Sequence, residues 1–245
     1  MWRLTPARRR GFEFLDDRAI PSAARDRSMA DVSRANTLLG GTRSAIRAFR
    51  SVLPHVPRAS VLLDVGTGFG DIPARATAEA RRAGVALSTI GLDAVETLFR
   101  TARARLSAAV VADAMRLPLE NDSVEIVICS QLLHHFDAAD ARRMIAELHR
   151  VARGWVIISD LERSWFAAGG FWLASIVLRF HPMTRHDGVT SVLRGFTSAE
   201  LEGLVRDVTG ATPTIRRGAF WRLSATWRKA DAASAPRDAV LAIDL

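Results

Sequence analysis

The feature that most constrains this chain is the segment Leu62-Leu63-Asp64-Val65-Gly66-Thr67-Gly68-Phe69-Gly70-Asp71-Ile72-Pro73. It begins within an unbroken apolar run, Ala59 to Val65, the pattern of a parallel strand covered on both faces. The glycines at 66, 68 and 70 allow a tight turn and let a ligand approach the backbone where a Cβ would clash. Pro73 suits the first turn of a helix, where its missing N–H costs nothing. The spacing is Gly-x-Gly-x-Gly, whereas the dinucleotide fingerprint Gly-x-Gly-x-x-Gly would place its third glycine at position 71, here Asp71. A nicotinamide or flavin cofactor is therefore disfavoured.

Downstream the periodicity alternates. Residues 72–83 read as a helix, 85–92 as a strand, 94–106 as a helix, 108–112 as a short strand, 124–129 as a strand, 138–151 as a helix and 154–159 as a strand. Residues 198–208 add a helix, and 214–217 with 219–228 read as a closing pair of strands. This pattern predicts an α/β fold, Rossmann-like and doubly wound, with a mostly parallel seven-stranded sheet. Ahead of it, 28–58 reads as an N-terminal helical cap broken at Gly40 and Gly41, and 1–27 as a flexible basic arm. The main domain then runs over 59–229, with a lid insertion at about 162–195, and 230–245 reads as a flexible tail.

Charge needs placing before it is interpreted. The net charge is +8 over 245 residues, but residues 1–58 hold twelve arginines against five acids, while 59–207 hold sixteen against eighteen. The basic excess thus lies outside the glycine-rich region, and a solvated arginine-rich surface is favoured over a nucleic-acid interface. Cys129 is the only cysteine, which excludes an internal disulfide and a zinc-finger pattern. With no apolar leader at the N-terminus, a cytoplasmic protein is expected. The uncharged run 164–178 would reach only about 22 Å as a helix, short of the roughly 30 Å of bilayer hydrocarbon.

Two more acids follow predicted strands: Asp93 in Thr89-Ile90-Gly91-Leu92-Asp93 and Asp113 in Val110-Val111-Ala112-Asp113-Ala114. A carboxylate at such an edge can accept hydrogen bonds from ribose hydroxyls or an adenine amino group. With these motifs in place, residues 59–229 resemble the class I S-adenosylmethionine-dependent methyltransferases. The resemblance implies that Asp64, Gly66, Thr67, Gly68 and Gly70 pass beside the methionine part of the cofactor. It also implies that Asp93 holds its ribose, that Asp113 and Ala114 read adenine, and that Ala94 and, in the motif after strand four, Ser130 belong to the cofactor site. That motif, Cys129-Ser130-Gln131-Leu132-Leu133-His134-His135-Phe136, would line the cofactor and face the acceptor. S-adenosylhomocysteine would be the product, and no metal is expected. Leu133-His134-His135-Phe136-Asp137 and Gly195-Phe196-Thr197 further resemble small-molecule methyltransferases, including quinone-biosynthesis enzymes. Asn36 to Gly41 and Thr184 to Gly188 resemble bacterial enzymes associated with type III polyketide synthases and phenolic lipids.

A hydroxyl acceptor needs a base of near-neutral pKa, and His134, His135 and His186 are the candidates. The expected reaction is O-methylation of a lipophilic, aromatic or phenolic small molecule, with C-methylation of a quinone or phenol ring as the alternative. RNA methylation is less favoured: Ser130 and Gln131 stand where base-modifying enzymes carry Asn/Asp-Pro-Pro-aromatic or Pro-Cys. The apolar stretch 164–180, with Arg163 and Arg179 at its ends, reads as a lid or as a surface for peripheral membrane contact.

Overall fold

The computed structural model describes residues 5–9, 11–17, 19–96 and 102–230. Seven strands form one sheet: β1 (Ala59–Val65), β2 (Ala86–Asp93), β3 (Ala108–Val111), β4 (Val124–Ser130), β5 (Ala152–Leu161), β6 (Thr214–Gly218) and β7 (Arg222–Arg228). Their order is β3-β2-β1-β4-β5-β7-β6. The first five run parallel, while β7 enters antiparallel between β5 and β6. The helices are α1 (Ser22–Leu38), α2 (Gly41–Val52), α3 (Asp71–Arg82), α4 (Ala138–Val151), α5 (Trp165–Val177), α6 (Pro182–Arg194) and α7 (Ser198–Thr209).

Because side chains alternate along a strand, the central strands bury both faces. Leu62, Ile126, Ile128 and Ile157 pack with Phe49 of α2 and Ala76 of α3 on one side. Leu63, Val127, Cys129 and Ile158 pack with Met144 and Leu148 of α4 and Leu204 of α7 on the other. Caps set where helices start. The Asp137 carboxylate accepts from the Ala139 and Asp140 N–H groups, and Thr197 with Glu200 forms a reciprocal capping box. The His181 ring accepts from the Met183 N–H at the start of α6, which gives this histidine a structural role.

Three expectations change. The helix expected over 94–106 falls partly outside the described residues, and at its end the chain forms a 3-10 turn, Arg103–Arg105. The segment read as a flexible arm, 1–27, is tied down over its described part, and α1 already begins at Ser22. Arg8 donates to the carbonyls of Arg194 and Phe136 at 2.5 and 2.6 Å, and its guanidinium lies 3.8 Å from the Phe196 ring centroid. Asp187, itself buried, accepts from the N–H groups of Phe14 and Leu15 at 2.9 and 3.0 Å. The mixed charge that suggested a solvated arm instead finds internal partners. Arg163 is likewise internal: it is 5% exposed, pairs with Glu200 at 2.7 Å and donates to the Pro6 and Gly195 carbonyls, so it is unavailable to a membrane.

Candidate active site

Parallel strands end together at one edge of the sheet, and ligands of open α/β sheets bind there. A cavity of about 780 Å³ lies along this edge, within the range of small-molecule sites, roughly 300–1,000 Å³. Its floor runs from Val111 to Ala114 at the end of β3, through Asp93 to Val95 at the end of β2 and Gly66 and Gly68 after β1, to Gln131 and Leu132 after β4. Its roof comes from the N-terminal segment, α1 and α6, with Glu13, Leu15, Met29, Asn36, Thr184 and Asp187.

The glycine turn is built as the sequence implies. Gly66, Gly68 and Gly70 all have positive φ, and the Gly66 and Thr67 N–H groups both donate to the Leu92 carbonyl, locking the turn onto β2. A Cβ on Gly66 would come within 2.9 Å of Leu132, so the turn and the segment after β4 pack against each other here. Asp93 stands between turn and cavity: its carboxylate accepts from Gly68 N–H and Val95 N–H at 3.0 Å each. Burial raises its pKa, against the pull of these bonds. Asp64, 1% exposed in β1, has no hydrogen-bond partner for either carboxylate oxygen. Burial pushes its pKa up to about 7; the nearby Thr67 hydroxyl opposes this, and the Asp93 charge adds a smaller push in the same direction as burial.

Of the residues singled out in the sequence, Gly66, Gly68, Asp93, Ala94, Asp113, Ala114, His134 and His135 line the cavity. Asp64, Thr67, Gly70 and Ser130 do not; Asp64 and Thr67 lie beneath the turn as buried support, and Gln131 and Leu132 take the place given to Ser130. His186 is also outside the lining. Its side chain is 50% exposed, Nδ1 lies 3.1 Å from Asp187, and its ring packs on Phe14. The expectation of a catalytic His186 is therefore not met by its position: the helical turn of α6 directs Asp187 and Gly188 to the cavity instead.

His134 is the better-built group. It is 3% exposed, its Nδ1 lies 2.6 Å from Asp160 Oδ1, and its backbone N–H donates to Asp160 Oδ2 at 3.0 Å. Asp160 sits near the end of β5, beside β4 in the parallel register Ser130↔Ser159. Burial alone would raise the Asp160 pKa, but the His134 ring and the hydrogen bonds from His134 and Leu161 hold it below the usual carboxylate range. An ionised Asp160 can only accept, so the ring nitrogen it meets, Nδ1, is one that carries a proton. Sequence reasoning missed this partner, although the rule used for Asp93, an acid at a strand end, applies equally to Asp160.

Glu13, His134 and His135 each bring one ligand-type atom within 4.8 Å of the others. Arg194, however, lies 3.0 Å from Glu13 Oε1 and 3.4 Å from His135 Nδ1, so a cation already neutralises this cluster. The arrangement suits proton handling better than metal binding.

Comparison with known proteins agrees with this geometry. Residues 62–154 match the family model described as a methyltransferase domain. The match spans 93 of the 245 residues. No curated protein sequence matches the chain significantly. Solved structures share its fold. The magnesium protoporphyrin IX methyltransferase of Synechocystis PCC 6803, with bound S-adenosylhomocysteine, is 15% identical and superposes with a TM-score of 0.56 over 87% of this chain and 90% of that one. The 1,6-didemethyltoxoflavin N1-methyltransferase of Burkholderia thailandensis is 20% identical, with a TM-score of 0.53 over 88% and 92%. An S-adenosylmethionine-dependent methyltransferase of Aquifex aeolicus is 16% identical, with a TM-score of 0.53 over 81% and 98%. The matched span thus supplies the floor of the cavity, while its roof comes from outside that span.

Proposed function

We propose that this protein transfers a methyl group from S-adenosylmethionine to a hydroxyl of a lipophilic, aromatic or phenolic small molecule. The residues present fit the cofactor: Asp93 and Asp113 offer carboxylate oxygens for hydroxyl and amino groups, and Leu92, Val111 and Ala112 offer apolar surface for a flat ring. When bound, the cofactor supplies a methyl group on a cationic sulfur, activated toward nucleophiles. The observation that carries the reading is the buried His134–Asp160 pair in the wall of the same cavity. In this reading His134 accepts the acceptor's hydroxyl proton, Asp160 holds the ring in the accepting tautomer, and the roof excludes water. His135 lies against His134, ring centroids 4.3 Å apart, and serves as a second wall of the acceptor site. Neighbours of the same fold named for a porphyrin and a toxoflavin precursor support a small-molecule acceptor. The arm's Arg8 is engaged in internal contacts, which weakens the RNA alternative.

The test is transfer of radiolabelled methyl from S-adenosylmethionine into a lysate fractionated into solvent extract, RNA and protein. Label in the solvent extract, carried as an ether by mass spectrometry, is expected; a methyl on a ring carbon replaces O- with C-methylation, and label in RNA overturns the reading. His134→Gln should lower turnover by roughly 10²-fold or more, the scale of general-base catalysis, with S-adenosylhomocysteine binding retained.

The outer face of α5 adds a second element to the proposal. Phe166, Trp172, Leu173 and Val177 are each more than half exposed, on a helix that carries no charge. Phe171 of the same helix lines the cavity. One helix thus joins an apolar surface to the acceptor site, which supports peripheral contact with a lipid surface from which a lipophilic acceptor would enter. Among the described residues no helix is long and apolar enough to cross a membrane.

A further inference from the structure

One charged group in the cavity has no role in the chemistry above. Arg222, the first residue of β7, lines the cavity and is 3% exposed. Its guanidinium donates through Nε to the Leu39 carbonyl at 2.9 Å and through one terminal nitrogen to Gln131 Oε1 at 2.6 Å. Both partners are neutral, and among the described residues no carboxylate pairs with it. Burial lowers its pKa to about 10, with the more remote Asp160 charge working in the opposite direction. A buried cation with only neutral partners is costly, and a neutral donor could serve Leu39 and Gln131 as well. An arginine kept at such a place suits an anion delivered by a ligand, because its planar fork matches a carboxylate.

Position separates the two anions that could reach it. Asp93 ends β2 and Asp113 follows β3, on one side of the glycine turn, whereas Arg222 pairs in register with Leu161 of β5 on the other. Strand β7 is third from β1 in the sheet order, a displacement of about 14 Å at the usual strand spacing. His134 lies on the same side as Arg222. We infer that Arg222 is the anion-recognition residue of the acceptor site, so that the acceptor is a lipophilic compound carrying a carboxylate or an equally acidic group beside the apolar body. This rests on the reading of the cavity as a methyltransferase site, and it narrows the acceptor from any apolar phenol to an amphiphilic anion.

The test uses the full chain saturated with S-adenosylhomocysteine and two probes with the same apolar body, 4-octylbenzoate and its methyl ester, followed by titration calorimetry. The wild type should bind the acid about tenfold to hundredfold more tightly than the ester, the range for a charge-assisted hydrogen bond in a dry site. Arg222→Gln should abolish that preference, Arg222→Lys should keep part of it, and both should leave S-adenosylhomocysteine affinity unchanged. Equal binding of acid and ester by the wild type overturns the inference, and this comparison holds even if Arg222→Gln fails to fold. A loss of S-adenosylhomocysteine affinity in Arg222→Gln with the acid preference intact overturns it by assigning the guanidinium to the cofactor's own carboxylate. If the wild type does not bind S-adenosylhomocysteine, the methyltransferase reading fails together with this inference, an outcome distinct from both.

Discussion

Asp64→Asn isolates the energetic consequence of burying an acid that has no cationic partner. In the folded protein burial holds the Asp64 pKa at about 7, against 3.8 for the free group. Between these values the unfolded chain releases the proton while the folded one retains it. Folding therefore binds protons across this window, and this group's contribution to stability falls as pH rises. The slope is about 1.4 kcal/mol per pH unit. It starts near pH 4, where the penalty is absent, and levels off above about pH 7, where both states are ionised. Over the full window the penalty reaches about 4 kcal/mol, and about 3 kcal/mol of it accrues between pH 5 and pH 8. Asparagine has nearly the same shape and no titration, so it removes the pH dependence and leaves a constant offset. Urea unfolding of both proteins from pH 5 to pH 8 should show Asp64→Asn gaining about 3 kcal/mol on the wild type, equivalent to roughly 6–12 °C in Tm for a chain of this size. A difference that stays constant with pH would refute the reasoning, since it would mean that Asp64 titrates normally in the folded state.

Asp93→Ala should weaken S-adenosylhomocysteine binding by roughly 1.5–3 kcal/mol, the scale of hydrogen bonds to a charged group; calorimetry showing an unchanged Kd would remove Asp93 from the cofactor site. A Cβ on Gly188 would collide with the Phe171 ring, so Gly188→Ala should displace that ring from the cavity. The expected result is a raised acceptor KM with cofactor affinity retained, and equal effects on both would place Phe171 outside the acceptor site. Replacing Trp172 and Leu173 with glutamate should abolish sedimentation with vesicles of phosphatidylglycerol and phosphatidylcholine while leaving Tm unchanged. Sedimentation unaffected by this change would show that α5 does not meet lipid.

What was legible in the sequence is what local chemistry writes. The β1 run and the glycine turn depend on neighbours within a few residues, and α4 falls at 138–151 as its periodicity indicates. Asp93 and Asp113 were readable because each stands at or just after the end of a strand. The His134–Asp160 pair was not, because it depends on β4 and β5 pairing so that residues 26 apart in sequence meet. Arg222 was hidden by topology: only the antiparallel insertion of β7 beside β5 carries a C-terminal arginine into the cavity. The N-terminal segment was misread because its arginines and acids look solvated until Arg194, Asp187 and Phe196 are brought opposite them. His186 shows the converse error, in which a chemically suitable residue falls one position away from the face of α6 that meets the cavity.

The N-terminal roof has a kinetic consequence. Glu13, Leu15 and α1 close over the cavity through backbone hydrogen bonds to one acid, Asp187, and through the guanidiniums of Arg8 and Arg194. An acceptor too large to pass beneath them can leave only if this strap unzips, so turnover would be paced by the release of a few hydrogen bonds instead of by methyl transfer. Because the strap lies wholly before residue 62, it is also exchangeable: a chimaera with another strap on the same floor would keep the donor and change both the cargo and the clock.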